Sequence, residues 1–339
     1  MFLTEANVLH YLLERRFADL ESVAGGDYRV RNLTRRNRNF HVTCGAREYL
    51  VKQPKKWNRK SRRSLEREAA VYWQTKIDPG FQPIKALAPE SYGYDPAQSI
   101  LILEYLTEQS NLHRRRDRFA PHVARLAGAA MGAFHRDMRT VSRPAVLPTF
   151  KPWCLSAHDA GPDELEDQTE GQRELLRVVQ KHSDFGRALG SLREEWREET
   201  AIHGDWKLEN CLVSPAGERI HAIDWEFANW GDPFWDIGTM LQSWWNLWVC
   251  RSSACRIEEV QPALKAFLEG YASEDRRDPV EMTARALRFA AARMLQTAYE
   301  WLDDADKMNA AAVRLSQASL NIFTRPEWAL EQLFGADWN

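Results

Sequence analysis

Polar and apolar positions alternate through the early part of the chain and change to helical spacing later. Residues 5–20 predict a first helix. Three runs then read as strands, Arg29–Leu33, Phe40–Thr43 and Glu48–Lys52, separated by the polar loop Thr34–Asn39 and a turn at Gly45-Ala46. Arg59 to Lys76 predicts a helix. Ala88–Tyr94 and Ser99–Leu106 flank Asp95-Pro96 and predict a strand, turn, strand unit. Beyond it the period lengthens: Val123, Leu126, Ala130 and Phe134 share one face of a helix over 119–138. A loop rich in Asp, Glu and Gly is expected over 158–172, a helical stretch from Gln172 to Glu199, and a long helix from Arg285 to Asp304. Two short strands, Cys211–Val213 and Ile220–Ile223, surround a turn at Pro215-Ala216-Gly217.

Composition narrows the class. The chain has 339 residues, enough for two lobes, and 44% hydrophobic residues, ample for a core. Its 46 basic and 48 acidic side chains leave a net charge of −2, so no global field recruits nucleic acid or an anionic membrane. Basic stretches at 35–38 and 55–63 are local, and a solvated face is their ordinary reading. No apolar run reaches the roughly 18 residues of a membrane span, and the charged opening segment does not read as a secretory signal, so a cytoplasmic location is expected. Five scattered cysteines without metal-ligand spacing read as reduced structural thiols.

The chemistry concentrates at His203-Gly204-Asp205-Trp206-Lys207-Leu208-Glu209-Asn210, followed by Ile223-Asp224-Trp225-Glu226. Phosphoryl transfer from ATP needs a carboxylate to receive a hydroxyl proton, and further oxygen ligands to hold magnesium against the phosphates. Asp205 and Asn210 supply base and first ligand from one loop, and Asp224 supplies the second ligand after the next strand. The intervening hairpin is expected to bring Asn210 and Asp224 together. Glu226, two residues on, is a candidate for holding or ordering a second metal, against the alternative of a surface carboxylate.

The segment from His203 to Gly238 resembles the aminoglycoside phosphotransferase and choline kinase families, relatives of the protein kinases. The likeness continues through Gly231-Asp232-Pro233-Phe234-Trp235-Asp236-Ile237-Gly238. It implies an α+β, two-lobed protein-kinase-like fold: an N-lobe of antiparallel sheet plus helix over 1–106, and a mainly helical C-lobe over 107–339. It also implies that Asp205 is the catalytic base, that Asn210 and Asp224 bind Mg2+, and that Asp236 braces the catalytic loop. Lys207 resembles the lysine two residues after the catalytic Asp of Ser/Thr protein kinases, which touches the transferred phosphate. By the same resemblance Lys52 reaches the α- and β-phosphates of ATP and Glu68 is its ion-pair partner, Glu66 being the competing choice. The main chain near Glu104 and Leu106 is the expected adenine contact.

One departure is visible. The loop from Leu33 to Asn39 contains no glycine where kinases use a glycine-rich phosphate cover. Asn39 matches an asparagine often kept there in the resembled families, and the guanidinium of Arg35, Arg36 or Arg38 is a candidate phosphate clamp. His135-Arg136-Asp137 is a decoy, since Ser142 stands where asparagine is needed and the triplet lies in a helix; His135 reads as a packing or surface residue.

The expected partner is a small-molecule hydroxyl substrate of aminoglycoside, amino-alcohol or other metabolite type. Two modes of recognition remain open: an aromatic cage from Trp244, Trp245 and Trp248, against ordinary helix packing, or an acidic wall from Glu300, Asp303, Asp304 and Asp306. A peptide or protein kinase is a competing class, disfavoured by the lack of Asp-Phe-Gly and Ala-Pro-Glu. A nucleotide-binding pseudokinase is another, disfavoured by the complete set of catalytic residue types. Nothing in the sequence fixes an oligomeric state.

Overall fold

The computed structural model describes residues 2–34, 37–161, 168–250, 255–336 and 338. It divides into two compact units, Met1–Ser110 with His221–Ala228, and Asn111–Ile220 with Asn229–Asn339.

The first unit is built on five antiparallel strands, β1 (Tyr28–Asn32), β2 (Asn37–Cys44), β3 (Arg47–Pro54), β4 (Ser91–Asp95) and β5 (Ile100–Glu104), in the order β1-β2-β3-β5-β4. Strand alternation sends Phe40, Val42 and Val51 to one face, where they join Ile100 and Ile102 in a core closed by Val8, Tyr11 and Leu12 of α1 (Val8–Glu14). The first helix is shorter than its pattern predicts because Arg16 adopts a left-handed φ of 60°. A second helix, α2 (Leu20–Ala24), restarts behind Asp19, whose carboxylate caps the Ser22 N–H at 2.7 Å. The other sheet face carries Lys52, paired across the ladder with Asn39 and Leu101. Helix α3 (Arg59–Ile77), capped by Asn58, packs on β3 and β4, and the short α4 (Gln82–Leu87) follows it. The segment His221–Ala228 belongs here through bonds from Lys52, Ser64 and Arg67.

The second unit is mainly helical: α5 (Pro121–Arg139), α6 (Glu170–Lys181), α7 (Ser183–Glu194), α8 (Pro233–Cys250), α9 (Ile257–Asp275), α10 (Pro279–Glu300), α11 (Ala310–Thr324) and α12 (Pro326–Phe334). Strands Thr200–Ile202 and Asn229–Gly231 pair antiparallel within it. Helix α8 is buried at every position from Pro233 to Trp245, as befits a helix apolar on all sides. Helices α5 and α9 approach closely: a Cβ on Gly128 would lie 2.0 Å from the Phe267 carbonyl oxygen, and one on Gly270 2.2 Å from that of Arg125.

The expected helix over 172–199 is two helices, because His182 takes an extended backbone between them. Helix α10 begins six residues before the predicted Arg285, at Pro279, behind the Asp278 cap that bonds the Val280 and Glu281 N–H groups. Residues 162–167 of the expected loop lie outside the described residues. Among the described residues no helix is long and apolar enough to cross a membrane, and no disulfide forms. The architecture is the α+β, two-lobed protein-kinase-like fold, with an antiparallel sheet plus helices in the first lobe and a mainly helical second lobe.

Candidate active site

In the first unit, β3 delivers Lys52 and α3 delivers Glu68 to one buried contact. Lys52 Nζ lies 2.8 and 2.7 Å from the two Glu68 oxygens and 2.7 Å from Asp224 Oδ1. Glu66, two positions away on α3, faces solvent, as helical geometry requires when Glu68 faces inward. Burial opposes the charge on Lys52, but the Asp224 and Glu68 carboxylates outweigh it and hold the amine protonated. Burial pushes Glu68 up to about 7 against the pull of Lys52, and the nearby Asp224 and Glu226 charges add to the rise.

Asp224 occupies the left-handed region at φ 72°, an uncommon conformation for a residue with a side chain. Such outliers persist only where their surroundings hold them, and they cluster at functional sites. Its side chain remains about a third exposed, at 35%. Glu226 is instead buried, bonded through Oε2 to the Ser64 hydroxyl. Among the described residues no group of three or more His, Cys, Asp or Glu side chains is arranged to hold a metal by itself. A partly open aspartate nevertheless suits Mg2+, which keeps waters and phosphate oxygens and takes only one or two protein carboxylates.

Asn39, opposite Lys52 in the ladder, has a buried Oδ1 without a hydrogen-bond partner. Arg38 turns to the N-terminal segment, donating to the Leu3 carbonyl at 3.4 Å and lying over the Phe2 ring. Arg35 and Arg36 lie outside the described residues. The Glu104 N–H donates to the Glu90 carbonyl at 2.7 Å, and the Leu106 carbonyl accepts from the Gln109 N–H at 3.1 Å.

In the second unit the loop after Thr200–Ile202 is held from beneath by Asp236 on α8. Asp236 accepts the His203 N–H at 2.7 Å and the Gly204 N–H at 2.9 Å. Gly204 sits at φ 81°, which glycine adopts without steric penalty, and this turns the chain so that Asp205 follows. His135, fully buried on α5, contacts Asp236 Oδ2 at 3.3 Å and the Tyr271 hydroxyl at 3.1 Å. The decoy triplet thus supplies a buried histidine that touches the brace of the loop.

Asp205 is held at both oxygens. Oδ2 accepts from Lys207 Nζ at 2.6 Å and from Asn210 Nδ2 at 3.1 Å; Oδ1 accepts from Arg293 Nη2 at 2.7 Å. Asn210 Nδ2 also donates to the Asp205 carbonyl at 2.9 Å. Both of these Asn210 bonds use the amide nitrogen. Burial lowers the proton affinity of Lys207, but the Asp205 charge outweighs it and raises the value. Arg293, from α10, did not feature among the sequence candidates. Its signal was a cation flanked on both sides by apolar residues, Ala290-Ala291-Ala292 and Met294-Leu295.

The open questions of recognition divide clearly. Trp244 and Trp245 have no exposed surface and are core residues, while Trp248 is half-buried. Asp303, Asp304 and Asp306 face solvent. Glu300 alone of the acidic quartet joins the Asp205 network, through Arg293 Nη1 at 3.0 Å.

No curated protein matches the chain. Solved structures of similar fold include choline kinase LicA from Streptococcus pneumoniae, 16% identical with TM-score 0.59, covering 92% of this chain and 99% of that one. An ethanolamine kinase of Plasmodium vivax is 12% identical with TM-score 0.63, covering 96% and 91%. A choline/ethanolamine kinase family protein from Mesorhizobium loti is 17% identical with TM-score 0.55, covering 91% and 92%. At these identities the likeness establishes the fold. The family model described as the phosphotransferase enzyme family matches residues 27–280, well over half of the sequence, and the chain belongs to that family.

Proposed function

We propose that this chain is an ATP- and Mg2+-dependent phosphotransferase that phosphorylates a hydroxyl group of a small molecule. The observation that carries the reading is the setting of Asp205: a carboxylate on a braced loop, bonded through one oxygen to Lys207 and Asn210. Asp205 orients the acceptor hydroxyl and receives its proton. Lys207 leaves Asp205 to follow the transferred phosphoryl group. Lys52, aligned by Glu68, grips the α- and β-phosphates, with Asn39 beside it in the ladder. One arginine of residues 35–38, Arg35 among the candidates, is the proposed phosphate clamp, and the backbone at Glu104 and Leu106 is the proposed adenine contact. Asp224 and Asn210 each offer a hard oxygen to magnesium, and Glu226, pinned by Ser64, orders the Asp224 turn. Bound magnesium neutralises charge on the phosphate oxygens. In this division of labour residues 1–106 serve the nucleotide and 107–339 the acceptor, with Asn210 and Asp224, supported by Glu226, serving the metal.

A small acceptor is favoured over a polypeptide by the short run after Asp224. From Phe227 the chain passes through the strand Asn229–Gly231 directly into α8 at Pro233, leaving no length for the activation segment of a protein kinase. Choline and ethanolamine kinases share the fold, and of the four acidic residues Glu300 is the one joined to the Asp205 network, through Arg293. Amino-alcohols and amino-sugars are therefore the first acceptors to assay.

The test is incubation with γ-labelled ATP, Mg2+ and a polar metabolite extract, followed by mass identification of the labelled product. The wild type transfers label to a small alcohol. Asp205→Asn abolishes transfer while nucleotide affinity stays, and Asp224→Asn weakens Mg-nucleotide binding. Unchanged transfer by Asp205→Asn removes the assignment of the base.

A further inference from the structure

Arg293 does not belong to the motif that surrounds Asp205, yet it makes a buried ion pair with it. It is 2% exposed, and a buried guanidinium carries a desolvation penalty that only good partners offset. Its Nη2 lies 2.7 Å from Asp205 Oδ1 and its Nη1 3.0 Å from Glu300 Oε1. Its Nε is buried without a partner. Here the side chain is committed to two carboxylates, one of which is the group assigned to the acceptor hydroxyl.

The two cations on Asp205 differ in freedom. Lys207 comes from the same loop on a flexible stem, and its side chain is 30% exposed. Arg293 projects from the long helix α10 and is fixed between Trp235, 6.0 Å from its guanidinium, and Glu300. Glu300 is held in turn by Gln296 Nε2 at 3.0 Å. Of the two cations, the rigid one therefore binds Oδ1 and the movable one Oδ2, which also accepts from Asn210 Nδ2 at 3.1 Å.

We propose that Arg293 is a positioning residue for the reaction: it locks the Asp205 side chain through Oδ1, so that Oδ2 is presented to the acceptor hydroxyl once Lys207 turns to the phosphoryl group. Glu300 has two roles in this arrangement. It orients the guanidinium and balances its charge, so that the pair adds no net charge beside Asp205. The inference rests on the reading of Asp205 as the group that receives the acceptor.

The experiment uses the full chain and compares the wild type with Arg293→Lys and Arg293→Gln. It measures transfer of label from γ-labelled ATP into a fixed pool of ethanolamine, choline and a polar metabolite extract, with ATP affinity and thermal unfolding recorded for each protein. A misplacement of about 1 Å can cost about 100-fold in rate. Arg293→Lys is therefore expected to lower kcat about 10-fold to 100-fold while the KM for ATP stays within about twofold, and Arg293→Gln to lower kcat further. If Arg293→Gln does not fold, Arg293→Lys carries the comparison. Wild-type kcat in Arg293→Lys, or a loss that only tracks a fall in the folded fraction, overturns the positioning role. A wild type that transfers no label to any alcohol overturns the phosphotransferase reading itself, and this inference with it.

Discussion

Replacing Lys52 by methionine separates the electrostatics of the first unit from its packing, because the stem is kept and the charge removed. Lys52 Nζ has three carboxylate oxygens within 2.8 Å, and Glu68 has no exposed surface. Removing one partner of a buried pair typically costs about 3–5 kcal/mol, unless the stranded carboxylate can take up a proton. Glu68 can do so, since burial already pushes it up to about 7 in the presence of the lysine. Its folded value lies above the unfolded value near ~4.3, so the folded state binds the extra proton. The associated stability is present at low pH and lost as pH rises through the folded value, at up to about 1.4 kcal/mol per pH unit.

In the wild type that loss ends near pH 7. In Lys52→Met the carboxyl titrates higher still, and the loss continues into the alkaline range. Denaturant unfolding of both proteins at pH 6 and pH 9 should give a difference of about 2 kcal/mol at the lower pH and about 4–5 at the higher. A difference that is the same at both values, within about 0.5 kcal/mol, refutes the assignment of Glu68 as the responsible group. Glu68→Gln supplies the control, and should flatten the wild-type decline between about pH 4.5 and 7.

Gly128→Ala should lower the melting temperature markedly, because the new Cβ meets the Phe267 carbonyl oxygen and forces α5 from α9; overpacking costs typically about 1–3 kcal/mol, and an unchanged melting curve would contradict the close approach. Thiol labelling of the folded chain should reach Cys250 and Cys255 first, since Cys154 and Cys211 are fully buried and burial pushes both thiols up to about 12; mass mapping that finds Cys154 or Cys211 modified early would count against that order.

Much of this architecture is legible because its signals are local. Alternation in the runs around Phe40 and Leu50 placed β2 and β3, and a turn at Gly45-Ala46 joined them. The loop carrying Asp205 is a continuous motif, so spacing alone singled it out as a candidate site. Residues that meet from distant parts of the chain are harder to foresee. Arg293 lies 88 positions from Asp205, and only its isolation in an apolar stretch marks it. His135 is a related case: its triplet is set aside as a decoy from the sequence and the residue is indeed packed in the core, but its contact with Asp236 depends on how α5 packs. The tryptophans following Asp236 gave no means of separating a ligand cage from a core, and burial of Trp244 and Trp245 decides for the core. The early end of α1 depends on one left-handed backbone at Arg16, which residue type does not announce.

The central claim is that Asp205 directs transfer of a phosphoryl group from ATP to an alcohol. Its most direct test is quantitative transfer of γ-label from Mg-ATP to ethanolamine, choline, an aminoglycoside and a polar metabolite extract, by the wild type and by Asp205→Asn at equal nucleotide saturation. The account predicts a phosphate monoester of a small alcohol with the wild type, and a loss of at least about 100-fold with the variant. Label released only to water, or equal monoester formation by both proteins, would contradict it.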